Sequence, residues 1–125
     1  MMLHFLEHEV STAARRRFAR HAVLRRDRFC CTFPGCSNMR RLEIHHLHER
    51  SLGGSNHPIN LATLCNRHHH MYHDRLVVIQ RGPRGPVFYV GVENGIALER
   101  WQDDVITGTN VPVPDRPVVR RRRRA

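Results

Sequence analysis

LCNRHHHMYH, residues 64–73, sets one cysteine and four histidines in ten consecutive positions. No Pro or Gly interrupts the run after Leu64, and a short helix from about Asn66 to His73 is expected. On such a helix His69 and His73, four residues apart, share one face one turn apart. His70 is turned by about 100° from His69 and points elsewhere. Cys65-x2-His68 falls at the helix start and has the spacing of half a metal clamp. The stretch therefore divides into two pairs that cannot serve one ion together.

The partner of Cys65 and His68 lies 29 residues upstream, in FCCTFPGC (residues 29–36). Cys31-x4-Cys36 encloses Pro34-Gly35, a turn signal that brings the two thiols back on one another. Cys31, Cys36, Cys65 and His68 make a Cys3His set, and tetrahedral Zn²⁺ takes four such ligands with no open position, so the ion would be structural. Cys30 competes with Cys31 for the first place; the gap containing Pro34-Gly35 favours Cys31, with Cys30 a spare. Buried free thiols are the plainer alternative. Two cysteine-bearing pairs at ligand spacing weigh against it.

The partner of His69 and His73 is sought between the two halves. RLEIHHL (residues 41–47) alternates as a short strand, SLGGSNHP (51–58) is loop, and NLATL (60–64) makes a second short strand. A His-x3-His pair on a helix is a two-point grip on a divalent ion and needs a third ligand from outside. Adjacent His45 and His46 point to opposite faces of a strand. One can bind metal while the other addresses substrate.

Taken in order, C-TFPG-C, LEIHH, RSLGGSN and NLATLC-x2-HH resemble an HNH endonuclease domain, the ββα-metal or His-Me finger fold, in the form that carries an accessory zinc knuckle. The resemblance covers residues 25–75. It implies that His45 and His69 ligate a catalytic divalent ion such as Mg²⁺, Mn²⁺, Ni²⁺ or Zn²⁺, with His73 as third ligand. It further implies that His46 is the general base and that Asn60 constrains the loop and orients that base. A neutral imidazole with a pKa near ~6.5 suits proton abstraction from water at neutral pH. Arg50 and Arg67 flank the expected site and are candidate phosphate contacts, though an exposed Arg is as readily just solvated. His48, His57 and His70 are left to surface or support roles.

Composition agrees with a nucleic-acid partner, with double-stranded DNA first. The formal charge of the 125-residue chain is +10, and all 21 basic residues are Arg; guanidinium groups suit bidentate phosphate contacts. No run approaches the roughly 20 apolar residues of a membrane span. MMLHFLEHEV lacks the h-region of a secretory signal, so the chain reads as cytoplasmic, where thiols favour metal over disulfides.

The expected architecture is α+β: a ββα-metal core with an N-terminal helix, a zinc knuckle and a C-terminal β-hairpin. Its divisions are a basic helix in residues 1–26, the nuclease core with its knuckle in 27–75, the hairpin in 76–101 and a disordered Pro/Arg-rich tail in 102–125. Val10, Ala14, Phe18 and Ala22 recur near the helical period and form the expected buried stripe of the first helix. The expected function is single-metal hydrolysis of DNA phosphodiesters by a zinc-stapled endonuclease. Two competitors are a non-catalytic zinc-stapled nucleic-acid-binding module, which leaves His45, His46, Asn60 and His69 without a role, and a histidine-rich metal buffer, which accounts for neither the charge nor Asn60.

Overall fold

The fold was taken from a computed structural model, which describes residues 12–114. Helix α1 (Thr12–Arg26) leads through the cysteine turn to strand β1 (Leu42–His46). Two 3-10 turns, Arg50–Leu52 and Pro58–Asn60, precede β2 (Leu61–Cys65), and helix α2 (Asn66–His73) follows it without a break. Strands β3 (Val77–Gly82), β4 (Gly85–Glu93), β5 (Ile96–Gln102) and β6 (Val105–Pro112) complete an α+β chain with a two-stranded and a four-stranded antiparallel sheet. Among the described residues no helix is long and apolar enough to cross a membrane.

All five residues of β2 are buried, which explains a near-continuous apolar run where a half-exposed strand would alternate. One hydrophobic cluster joins Ala62, Leu64 and Cys65 to Cys31 and Leu47, to Tyr72 of α2, and to Val77, Ile79 and Phe88 of the second sheet. The antiparallel register sets Glu43 opposite Leu64 and His45 opposite Ala62. Directly paired residues share a face, so Glu43 and His45 stand on one side of the hairpin and His46 on the other.

Helix α1 is latched to β2 by its last residue and the next one. The Arg26 guanidinium donates to the carbonyls of Pro58 (2.8 Å) and Leu61 (2.6 Å) and forks onto Asp27. Asp27 in turn accepts from the Thr63 amide at 3.0 Å. Arg26→Ala is therefore expected to lower stability by about 1–2 kcal/mol, after allowing for the partial exposure of the guanidinium. Arg26→Lys, which cannot fork, should recover only part of that loss in a thermal melt.

Three expectations need correction. The stripe of α1 differs: Val23 and Leu24 are buried, whereas Ala22 is exposed and Phe18 is 68% exposed. Among the described residues the buried apolar side chains of α1 lie in its C-terminal turns, where the helix meets the core. Residues 1–11 of the expected helix, Val10 among them, lie outside the described residues, as do residues 115–125 of the expected tail. The C-terminal hairpin is the first half of a four-stranded meander, and residues 105–112, expected to be disordered, form its last strand. Two-residue turns at Asn94-Gly95 and Asp103-Asp104 close the added hairpins, and all four residues take positive φ, the backbone twist that matches antiparallel strands. Pro112 ends β6 on the sheet edge, where a missing amide costs no ladder bond.

Candidate functional site

The cysteine turn is built locally. Cys36 N–H donates to Phe33 O at 2.9 Å, with Pro34 next and Gly35 at φ +76°, the pattern of a type II turn, which needs positive φ at its third residue. Cys31 N–H donates to Asn38 O, and Thr32 bonds the Thr63 carbonyl through both its amide and its hydroxyl. These bonds hold the turn against β2 at Thr63, close to Cys65 at the N-terminal boundary of α2, with His68 one turn further on.

Cys31, Cys36, Cys65 and His68 converge so that their donor atoms all lie within 4.8 Å of one another. Nδ1 of His68 is 3.2 Å from the Cys65 sulfur and 3.5 Å from that of Cys31. A tetrahedral ion with bonds of about 2.0–2.3 Å spaces its donors by roughly 3.5–3.8 Å, so the cluster has the dimensions of a metal site. The Phe33 ring stacks on the His68 imidazole at 4.0 Å, nearly parallel, and meets Phe88 edge-on at 5.5 Å, linking His68 to the second sheet. Cys30 is outside the cluster, with its sulfur 3.4 Å from the Arg28 carbonyl.

Electrostatics point the same way. Burial pushes the Cys31 thiol up to about 12. Burial acts on Cys65 too, but the His68 amide and the neighbouring thiols outweigh it and hold Cys65 below the usual thiol range. Ionisation of Cys65 is thus favoured and that of Cys31 resisted. Three clustered thiolates, two of them buried, need a cation between them, and the donor set fits a divalent, thiophilic metal such as zinc.

The remaining histidines gather on the Glu43–His45 face. His45 is 4% exposed and its Nε2 has no hydrogen-bond partner. Burial, with the nearby His69, His46 and His73, lowers its pKa to about 3, so the ring is neutral at any physiological pH. Its ring centroid lies 5.5 Å from that of His69, which is 4.6 Å from that of His73. Nδ1 of His69 meets the Glu43 carboxylate at 2.5 Å; the carboxylate oxygen accepts, so the proton of that bond belongs to Nδ1 and Nε2 is the nitrogen turned away from Glu43. Tyr72 lies against His45 at 4.2 Å and donates its hydroxyl to Glu49 at 2.7 Å. Among the described residues, however, the Cys3His cluster is the one set of three or more metal-ligating groups whose donors all converge within 4.8 Å. The rings of His45, His69 and His73 are neighbours with looser donor spacing.

On the opposite face, His46 is half-buried and its Nε2 is 2.9 Å from the Asn56 amide oxygen. Asn60, 1% exposed, spans the loop between the strands. Its Oδ1 accepts from the His48 amide at 2.8 Å, and its Nδ2 donates to the carbonyls of Ser55 (2.8 Å) and His48 (3.1 Å). Arg50 and Arg67 are exposed, on the first 3-10 turn and the first turn of α2. Arg67 is next to His68 in the chain, and its charge lowers the pKa of His68 after the larger effect of burial. His48 and His70 are exposed, and His57 caps the second 3-10 turn through Nδ1.

Residue spacing did not single out Glu43 as a partner of His69, Asn56 as a partner of His46, or Glu49 behind Tyr72. The alternation that put Glu43 and His45 on one face is the only sequence signal for any of them. Compared with protein-family models, curated proteins and solved structures, the chain matches none.

Proposed function

We propose that this chain is a metal-dependent endonuclease of the HNH, ββα-metal type, hydrolysing DNA phosphodiesters and stapled by a structural zinc on Cys31, Cys36, Cys65 and His68. The observation that carries this function is His45 Nε2, a buried and unpartnered ring nitrogen of a neutral imidazole beside His69. A buried polar atom without a partner is costly unless something fills the place. A divalent cation does so, and His45, His69 and His73 would hold it. When bound, that ion neutralises charge on the scissile phosphate and the leaving 3′ oxygen.

The chain's own residues supply the rest. His46 accepts a proton from the attacking water, Asn60 fixes the loop beside it, and Glu43 holds the His69 ring in the tautomer that offers Nε2. Products would carry a 5′-phosphate and a 3′-hydroxyl. Exposed arginines of α1 (Arg15, Arg16, Arg17 and Arg20) with Arg50 and Arg67 would meet the DNA backbone, and binding should weaken steeply with salt.

The test is nicking of supercoiled plasmid with Mg²⁺ or Mn²⁺, set against the same protein in chelator. The looser donor spacing of the three histidines favours one competitor, a zinc-stapled binding module without catalysis; that module would retard DNA in a gel and leave it uncut. Glu43→Ala is expected to weaken Mn²⁺ or Ni²⁺ binding at the histidine site by about 10–100-fold in a titration calorimeter. Glu43→Gln, which keeps an acceptor oxygen, should lose less.

A further inference from the structure

His46 has two ring nitrogens, and only an unprotonated one can take a proton from water. We propose that Asn56 is a positioning residue for His46: its amide oxygen accepts from Nε2–H and holds the ring with the Nδ1 lone pair free for the attacking water. This rests on the nuclease function proposed above. The contact is 2.9 Å, and an amide oxygen only accepts, so the proton in that bond belongs to Nε2. In the hydrolytic step the water proton passes to Nδ1, the water oxygen bonds to phosphorus, and the P–O3′ bond breaks, the leaving 3′ oxygen taking its proton from solvent water to become the 3′-hydroxyl. The same division of labour orients the histidine of serine-protease triads, where a carboxylate rather than an amide holds the second nitrogen.

Asn56 can do this because its loop is over-determined. Asn60 bonds the backbone on both sides of the excursion, at His48 and at Ser55, the residue next to Asn56. Leu52 and Gly54 both donate to Glu49 O, closing the loop on itself. Gly54 lies so close under the chain that a Cβ there would be 1.9 Å from the His48 carbonyl oxygen; no side chain fits. The His57 amide donates to Ser55 Oγ at 3.3 Å. Asn60 therefore acts on His46 through the loop, and Asn56 is the group that touches the ring.

The test joins plasmid kinetics to ¹⁵N NMR of the histidine rings, on the whole chain. Wild type should show His46 protonated at Nε2 when neutral. Asn56→Ala should give a mixture of tautomers and lower kcat about fivefold, the value of one such bond, with KM and melting temperature unchanged. Asn56→Asp, which keeps an acceptor oxygen, should restore both the ring signals and kcat. A wild-type His46 protonated at Nδ1, or ring signals unmoved by Asn56→Ala, would overturn the proposal even if the protein cuts DNA. Conversely, a protein that never cuts but loses its Nε2–H tautomer in Asn56→Ala keeps the positioning and discards the nuclease.

Discussion

His46→Ala is expected to reduce divalent-dependent nicking of plasmid by about 10²–10⁴-fold, the range of a lost general base, while zinc content and melting temperature stay near wild type. The second half of that result follows from where the side chain lies. His46 is only half-buried and the bond of its ring to Asn56 is exposed; losing an exposed hydrogen bond costs about 1 kcal/mol or less. Nothing in the core cluster includes it. A loss of cutting therefore cannot be ascribed to unfolding. His45→Ala would be a poor substitute, because that ring is buried against Tyr72 and its removal leaves a cavity. Equal cleavage by His46→Ala would remove this histidine as the base. If wild type retards DNA with strong salt dependence and never nicks it under any divalent ion, the binding-module alternative takes over.

The parts of the molecule that were legible in sequence are those whose causes are local. Pro34-Gly35 dictates a turn of fixed geometry, four-residue spacing puts His69 above His73, and strand alternation sends His45 and His46 to opposite faces. Each depends on a few neighbouring φ/ψ angles. The parts that were missed depend on residues far apart in the chain. Asp27 meets the Thr63 amide across 36 positions, and Glu43 meets His69 across 26; no spacing rule reports such contacts. The helix stripe failed for a related reason, since periodicity says that a face exists and not which part of it finds a neighbour. Strand β6 is different, because its signal was present. Asn94-Gly95 followed by β-branched Val105, Ile106 and Thr107 carries a hairpin and strand pattern, but the prolines beyond it pulled the expectation toward disorder.

Cys36→Ser should unfold the domain at ambient temperature or lower its melting point by tens of degrees, and a zinc chelator should do the same to wild type. Cys36 is only half-buried and packs against the edge of the core cluster rather than within it. If the cluster held no ion, exchanging this thiol for a hydroxyl would cost on the order of 1 kcal/mol. With zinc the balance is different. Structural zinc sites contribute about 10–16 kcal/mol of apparent binding free energy at neutral pH, as much as the roughly 5–15 kcal/mol of an entire domain's stability. The cluster ties the knuckle, the end of β2 and the start of α2 to the second sheet through Phe33, so its loss disconnects elements that share one core. Cys30→Ser is the matched control: the same chemical change, one residue from a ligand, on a sulfur whose contact is the Arg28 carbonyl. Its melt and its zinc content, by atomic absorption, should match wild type. Equal melts for Cys36→Ser and Cys30→Ser, with no zinc in either, would mean that the thiols fill space and that the hydrophobic cluster holds the fold alone.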